Sequence, residues 1–186
     1  MYIDKYICQE TYNLIRNYKL PKTSNRPNAS GLRKLVQWGR NKGTNTYDKV
    51  GFPTETMNFG LVRKRFCNDG NPNIKFNQPI QFGNNNHKYP KIYKQLQKLI
   101  KYIDPNFDYD TITLNHQFKC RPHYDKNNKS PSIIVGFGDY EGGELVVEGE
   151  EFNIRHAPLM FNGGQCKHWT NEWIGDRYSV IYFKIT

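Results

Sequence analysis

Two histidines and an aspartate have the spacing of a metal site that activates dioxygen. His123 and Asp125 are separated by one residue, and His168 follows later in the chain. In an extended segment alternate side chains point to the same side, so His123 and Asp125 can bind one ion together. Two imidazoles and one carboxylate can occupy one face of an octahedron and leave the opposite positions open, which suits Fe(II). The sequence therefore predicts a mononuclear non-haem iron site formed by these three residues.

A second pattern could bind an anionic co-substrate. Arg177 opens a β-forming run after His168, and Ser179 follows two positions later on the same predicted strand face. An arginine presents a planar fork of N–H donors to a carboxylate, and the neighbouring hydroxyl adds another donor. We interpret the pair as a clamp for 2-oxoglutarate.

These two patterns give the sequence a resemblance to a known enzyme family. Over roughly Asp110 to Thr186 the chain resembles the Fe(II)/2-oxoglutarate-dependent dioxygenases. Within them it is most similar to the TET/JBP nucleobase oxygenases, whose first motif is His-x-Asp-x-x-Asn and whose second is Arg-x-Ser. Here the first motif ends at Asn128, and the second runs from Arg177 to Ser179.

The resemblance implies roles for the residues that match. His123, Asp125 and His168 would bind iron and form the catalytic centre. Four polar side chains would contact 2-oxoglutarate: Arg177, Ser179, Asn115 and Asn128. Arg177 would pair with the distal carboxylate, and Asn115 resembles a strand asparagine that AlkB-like members place near the co-substrate. The cofactors implied are Fe(II), 2-oxoglutarate as co-substrate and dioxygen, with ascorbate as a reductant in vitro.

The reaction implied by the resemblance is hydroxylation coupled to oxidative decarboxylation of 2-oxoglutarate. The motif pair favours a methyl group of thymine or 5-methylcytosine in DNA, and a base in duplex DNA would have to be extruded to react. Three alternatives stay open: an AlkB-like demethylase of nucleic acid, a protein hydroxylase acting on prolyl, lysyl or asparaginyl side chains, and a nucleic-acid-binding module without catalysis. Prolyl hydroxylases typically have lysine at the position of Arg177, which counts against the second alternative.

The charge of the chain favours a nucleic acid as partner. The 186 residues include 27 Lys and Arg against 17 Asp and Glu, a formal net charge of +10. Such an excess attracts polyanions. Basic residues surround Trp38 and occupy Arg63 to Arg65, whereas acidic residues collect between Asp139 and Glu151. An AT-rich genome, such as that of a large DNA virus or a protist, would also enrich lysine, so charge alone leaves the partner open.

The sequence predicts an intracellular protein without membrane association. No apolar run reaches the length of a signal peptide or of a membrane span. A cytoplasmic or nuclear location is therefore expected, and the oligomeric state stays open. The cysteines have no metal-ligand spacing and are expected to be reduced thiols. They are Cys8, Cys67, Cys120 and Cys166.

The length fits a single domain spanning residues 1–186. Apolar spacing predicts helices within residues 3–18 and over Pro90 to Ile103. We interpret residues 1–109 as an N-terminal support of helices and loops that also contributes to substrate recognition, with a candidate lid within residues 32–57. Residues 110–186 would form the catalytic β core.

Strand patterns dominate that core. A period of two between glycine-rich turns predicts six strands: Thr111 to Phe118, Ser132 to Phe137, Glu144 to Val147, Phe152 to Ile154, Leu159 to Phe161 and Ser179 to Ile185. The resemblance implies that they form a double-stranded β-helix, or jelly roll, flanked by the N-terminal helices. The predicted fold class is therefore α+β.

Three of four aromatic residues near the motifs have two interpretations each. His116 and His156 are either partners of the metal ligands or ordinary imidazoles. Trp169 either fills the core or forms a wall of the iron pocket. Tyr124 should point away from the metal if its segment is extended.

Overall fold

The protein is built from antiparallel strands with helices packed on one side. The computed structural model describes residues 3–23, 35–38, 47–50, 54–63 and 79–186. The helices in these ranges are α1 (Lys5–Ile15), α2 (Asn85–Lys88) and α3 (Pro90–Ile103). The strands of the N-terminal part are β1 (Lys22–Thr23), β2 (Leu35–Trp38), β3 (Tyr47–Val50), β4 (Thr54–Arg63) and β5 (Ile80–Phe82). The remaining strands are β6 (Thr111–His116), β7 (Ser132–Gly142), β8 (Leu145–Val147), β9 (Glu150–Phe152), β10 (Leu159–Phe161), β11 (His168–Thr170) and β12 (Trp173–Phe183).

Both predicted helices are confirmed, and local signals explain where they begin. The Asp4 side chain accepts a hydrogen bond of 2.8 Å from the backbone N–H of Tyr6 and caps α1. Pro90 occupies the first turn of α3, where a missing N–H has no cost. The two helices pack together, and the Gln95 side chain donates to the Thr11 hydroxyl at 3.0 Å across their interface.

The large sheet has the strand order β1-β4-β6-β12-β7-β10, and β5 pairs with β4. A smaller sheet has the order β11-β8-β9, and β2 pairs with β3. β12 lies between β6 and β7 and aligns Ser179 with Asn115 on one side and Gly136 on the other. The centre of the large sheet therefore carries the residues of the second sequence motif.

Two apolar clusters lie on opposite faces of the large sheet because side chains alternate along each strand. The larger one packs the sheet against α1 and α3 and includes Val135, Leu96 and Val180. The smaller one includes Ile134 and Leu145 and lies between the large sheet and the smaller sheet. Arg177, Ser179 and Ile181 alternate with the residues of the larger cluster, so they face the second layer, where the candidate site is found.

Several strand boundaries differ from the sequence-based prediction. β12 begins at Trp173 rather than Ser179, so Arg177 lies inside the strand. β11, which begins at the predicted metal ligand His168, was not predicted, and neither was β4. β4 pairs with β6 in the large sheet, so the N-terminal part contributes strands to the core as well as helices.

Some predicted features lie outside the described residues. The candidate lid within residues 32–57 is described only at its strands, and the basic residues after Arg63 and around Trp38 are outside the described ranges. Within those ranges, no helix is both long and apolar enough to cross a membrane.

Candidate metal and co-substrate site

Three backbone segments bring the predicted metal ligands together. His123 and His168 pair through two backbone hydrogen bonds of 3.1 and 3.0 Å. The Asp125 N–H donates to the carbonyl of Gly163 at 2.7 Å. A Cβ atom at Gly163 would lie 3.3 Å from the His168 ring and 3.4 Å from an Asp125 oxygen, so a larger residue there would crowd both ligands.

The three ligand side chains surround a space that fits one ion. The His123 Nε2 atom is 3.4 Å from one Asp125 carboxylate oxygen, and the His168 Nε2 atom is 3.5 Å from the other. All three ligand atoms lie within 4.8 Å of one another. Bonds of about 2.1 Å to a central ion would place adjacent ligands about 3 Å apart. A small contraction of the observed triad would therefore give one face of an octahedral site.

Hydrogen bonds to the backbone fix the orientation of both imidazoles. The His123 Nδ1 atom is 2.8 Å from the carbonyl of Arg121, and the His168 Nδ1 atom is 3.0 Å from the carbonyl of Cys166. A carbonyl can only accept, so each Nδ1 carries the proton and each Nε2 lone pair is directed to the shared space. This is the ligand set that Fe(II) sites with two histidines and one carboxylate require.

The electrostatics of the triad favour an ionised carboxylate. Burial alone would raise the pKa of Asp125, but its contacts with His123 and His168 hold that pKa well below its usual range. Burial alone would lower the pKa of His123. The contacts with Asp125 and with the Arg121 carbonyl outweigh burial, so the pKa of His123 is raised. Asp125 is therefore negatively charged at neutral pH and ready to bind a cation.

The ligands open into a cavity of about 100 Å³ that also reaches the second motif. Its polar lining beyond the triad is Asn115, Cys120, Thr170, Arg177 and Ser179. Its apolar lining is Phe118, Ile134, Leu145, Phe161 and Ile181. The same cavity is thus lined by the predicted metal ligands, by Arg177 and by several apolar side chains.

Arg177 is a buried cation with no acidic partner in the part of the chain that the structure describes. Its side chain is 2% exposed, and its Nε and Nη2 atoms donate to the Gly143 carbonyl at 3.2 and 3.0 Å. No carboxylate lies within 4.0 Å of it among the described residues. Burial accordingly lowers the pKa of Arg177. A buried charge is costly unless it is paired, so this arrangement suits an anionic ligand.

Aromatic rings and a glycine hold the guanidinium in place. The Arg177 guanidinium carbon is 5.2 Å from the Trp173 ring centre and 5.5 Å from that of Tyr140, which are cation–π distances. Gly143 has φ +71°, and a Cβ atom there would lie 2.7 Å from Arg177 Nε. Only glycine fits this turn, and its carbonyl then receives the guanidinium.

The other predicted co-substrate residues divide between the cavity and its surroundings. Ser179 and Asn115 are neighbours across β6 and β12, and both line the cavity. The Asn115 side chain also accepts a hydrogen bond from the Thr56 hydroxyl. Asn128 does not line the cavity. Its side chain donates to Ser132 at 3.1 Å and its N–H donates to the Asp125 carbonyl, so it stabilises the turn after the ligands.

A solved structure with a matching fold bears on the fold class of this chain. A crystal structure of an oxidoreductase of the 2OG-Fe(II) oxygenase family from Burkholderia pseudomallei aligns with a TM-score of 0.55 and 15% identity, over 97% of this chain and 79% of that one. This chain has a 2OG-Fe(II) oxygenase fold. The predicted α+β class with a jelly-roll core is confirmed.

A second structure is more distant. It is NgTET1 in complex with 5mC DNA, which aligns with a TM-score of 0.49 and 16% identity over 70% of this chain. The alignment spans 61% of the NgTET1 chain. No protein-family model and no curated protein matches the sequence.

The structure shows where the four aromatic residues near the sequence motifs lie. His116 is not beside the predicted metal ligands: its ring nitrogens are 2.6 Å from Glu55 and 2.7 Å from Asp176. His156 lines a different cleft, and Trp169 does not line the cavity. Tyr124 is 44% exposed and lies outside the cavity lining, as the extended segment predicted.

The sequence patterns did not identify Gln117, which contacts the backbone of Arg177. The Gln117 Oε1 atom accepts from the Trp173 indole N–H at 3.0 Å and from the Arg177 N–H at 3.1 Å. Its Nε2 atom donates to the Gly175 carbonyl at 2.9 Å. Gln117 is exposed and follows a strand end, so only the structure connects it with Arg177.

Proposed function

We propose that the protein is an Fe(II)- and 2-oxoglutarate-dependent dioxygenase that hydroxylates a methyl group on a nucleobase, thymine or 5-methylcytosine, in DNA. The observation that carries the enzymatic part is the shared cavity. It is lined both by the His-Asp-His triad and by Arg177, which is buried with no acidic partner among the described residues. A dicarboxylate that reaches both the metal and Arg177 would satisfy both charged groups together.

The protein side chains bind, orient and exclude water in this proposal. His123, Asp125 and His168 hold Fe(II), which together with 2-oxoglutarate and dioxygen supplies the hydroxylating chemistry. Arg177 binds the far carboxylate through its fork, and Ser179 adds a hydroxyl donor. The apolar lining keeps bulk water from the reacting centre, and this strengthens the contact between Arg177 and its anion.

The nucleobase substrate is supported by the surroundings of the cavity. Arg121 and Lys126 are exposed and flank the segment that carries His123 and Asp125, where they could contact phosphates. Tyr124 presents an exposed aromatic ring between them, and such rings stack on unpaired bases. Together with the two sequence motifs, these side chains favour an extruded or single-stranded base over a protein side chain.

The direct test is mass spectrometry of nucleosides from DNA that contains thymine and 5-methylcytosine. The DNA is incubated with the protein, Fe(II), 2-oxoglutarate and ascorbate. We expect a hydroxymethyl nucleoside with the wild type and none with Asp125→Ala. Asp108→Ala is the matched control, because it removes an exposed carboxylate paired with Lys184 and should leave the product unchanged.

Succinate release separates the parts of the proposal. Succinate without a modified nucleoside would contradict the nucleobase substrate and point to a protein side chain or an N-alkyl group. Iron-loaded, folded protein that forms neither succinate nor product would contradict the dioxygenase assignment itself. Full turnover in iron-loaded Asp125→Ala would contradict the proposed ligand set.

A further inference from the structure

A second cleft lies between α1 and the segment that follows β9. Its volume is about 320 Å³, and none of its lining residues lines the metal cavity. The residues that line it are Lys5, Gln9, Tyr12, Arg16, Gly138, Asp139, Arg155 and His156. The oxygenase proposal gives this cleft no role.

Positive charge exceeds negative charge in the cleft. Three permanent cations line it, Lys5, Arg16 and Arg155, against the single carboxylate of Asp139. Within the described part of the chain, neither Lys5 nor Arg16 forms an ion pair. The Asp139 side chain is 93% exposed and lies 3.6 Å from Arg155, so water screens much of its charge. A concave surface lined by one sign of charge concentrates ions of the other sign.

Arg155 is held in position by contacts other than its exposed ion pair with Asp139. Its Nη1 atom donates to the Tyr140 carbonyl at 2.8 Å, and its guanidinium carbon lies 5.5 Å from the centre of the Tyr140 ring. These contacts fix the planar fork while leaving other N–H donors for a ligand. The Tyr140 ring also contacts Arg177, so one ring lies between an arginine of the cleft and an arginine of the metal cavity.

His156 has an unusual backbone conformation beside these cations. Its φ is +56°, a region that residues other than glycine rarely adopt. Its N–H donates to the Gly136 carbonyl at 2.9 Å, and its carbonyl accepts from Ile3, so the strained turn is fixed on both sides. Strained residues of this kind concentrate at ligand sites. Burial, Arg155 and Lys5 lower the pKa of His156, which agrees with an excess of positive charge that a bound anion would relieve.

We propose that this cleft binds a phosphate group, either as a free anion or within a nucleotide chain. A phosphate presents several acceptor oxygens and up to two negative charges, which match the guanidinium forks of Arg16 and Arg155 and the ammonium of Lys5. The Gln9 amide provides a neutral donor at the same cleft. The site does not depend on Fe(II) or 2-oxoglutarate, so phosphate binding can be tested separately from the proposed activity.

The test compares two double variants that remove equal charge. Lys5→Gln/Arg16→Gln removes two exposed cations from the cleft, and Lys91→Gln/Lys94→Gln removes two exposed cations from α3. Binding of inorganic phosphate is followed by calorimetry and binding of a fluorescent single-stranded oligonucleotide by anisotropy, without metal and at constant ionic strength. Circular dichroism checks that both variants are folded.

We expect the cleft variant to bind phosphate or the oligonucleotide about tenfold more weakly than the wild type, as the loss of charged contacts implies. The α3 variant should stay within about twofold of the wild type, because its charges lie outside the cleft. Loss confined to inorganic phosphate identifies a free anion as the ligand, and loss of oligonucleotide binding identifies a nucleotide chain. Equal losses in the two variants, or a wild type that binds neither probe, would overturn the proposal.

Discussion

Arg177 is the side chain on which binding of an anion should depend most, because its charge is buried and the described residues place no carboxylate beside it. Its nearest acceptor is the Gly143 carbonyl, which is neutral. A neutral acceptor compensates a buried guanidinium only in part. We therefore expect the co-substrate carboxylate to supply the missing charge, and binding of 2-oxoglutarate to depend strongly on this residue.

Arg177→Gln should weaken 2-oxoglutarate binding much more than it slows turnover at saturation. Hydrogen bonds to charged groups contribute about 1.5–3 kcal/mol, so the KM for 2-oxoglutarate should rise about tenfold to a hundredfold. Ser179→Ala removes one neutral donor and should raise KM less than about tenfold. Succinate release measured against 2-oxoglutarate concentration tests both changes. An unchanged KM in Arg177→Gln would exclude Arg177 as the carboxylate-binding residue.

At the scale of elements, the start of β12 is positioned by the segment that follows β6. Gln117 joins these two segments through its bonds to Trp173, Gly175 and Arg177. It adopts φ +49°, a conformation that is costly outside glycine. These contacts make Gln117 a positioning residue for Arg177, acting through the backbone and through the indole on which the guanidinium stacks.

Gln117→Met should raise the KM for 2-oxoglutarate about tenfold and leave kcat near the wild-type value. Methionine keeps the length of the side chain and removes its hydrogen bonds, each of which contributes about 0.5–1.5 kcal/mol. Gln117→Glu restores an acceptor for the Trp173 and Arg177 N–H groups and should recover most of the affinity. Steady-state kinetics of the three proteins test this. A fall in kcat with unchanged KM, or no recovery in Gln117→Glu, would contradict the positioning role.

Asp110 connects the start of β6 to the residues that follow β12. Its carboxylate accepts from the N–H groups of Ile185 and Thr186 and from the Thr111 and Thr186 hydroxyls. Burial alone would raise its pKa, but these hydrogen bonds outweigh burial and lower it from an ordinary value of 3.8. A lowered folded-state pKa stabilises the protein above that ordinary value, and the contribution is lost as pH falls through the folded-state pKa.

Asp110→Asn should therefore lower the free energy of unfolding by about 1 kcal/mol at pH 7 and flatten its dependence on pH below about 4. Urea unfolding between pH 2.5 and 7 measures both effects. Asp104→Asn gives a comparison carboxylate, because Asp104 contacts only the nearby Asn106 N–H through its side chain among the described residues. Equal pH profiles for the wild type and Asp110→Asn would rule out this contribution.

The sequence predicted those elements whose signal is local. α3 has apolar residues at helical spacing, and β7 begins with the β-branched run Ile133 to Val135, so both could be predicted from neighbouring residues. The pairing of β4 with β6 joins residues 51 to 61 positions apart in the chain, and no local pattern encodes such a contact. Asn128 occupied the expected motif position, yet its side chain is bonded to Ser132, and only tertiary structure reveals that orientation.

At the scale of the whole molecule, residues from both sheets line the metal cavity. Molecules that bind in this cavity should therefore stabilise both sheets together. His168 begins β11 in the smaller sheet, Arg177 lies on β12 in the large sheet, and Asp125 belongs to the connection between β6 and β7. A ligand that binds the folded state alone raises its stability by mass action. Binding of metal and co-substrate should therefore raise the melting temperature, even when no turnover takes place.

Mn(II) and 2-oxoglutarate, added anaerobically, should raise the melting temperature of the wild type in two separable steps. At about a hundred times the dissociation constant, each ligand adds about 2.7 kcal/mol, and each kcal/mol shifts Tm by about 2–4 °C in a domain of this size. Asp125→Ala should lose the response to metal, and Arg177→Gln should keep it while losing the increment from 2-oxoglutarate. Differential scanning calorimetry of the three proteins measures these shifts. A metal response retained in Asp125→Ala would mean that the stabilising ion binds elsewhere, whereas a full 2-oxoglutarate increment in Arg177→Gln would mean that the carboxylate is held by other residues.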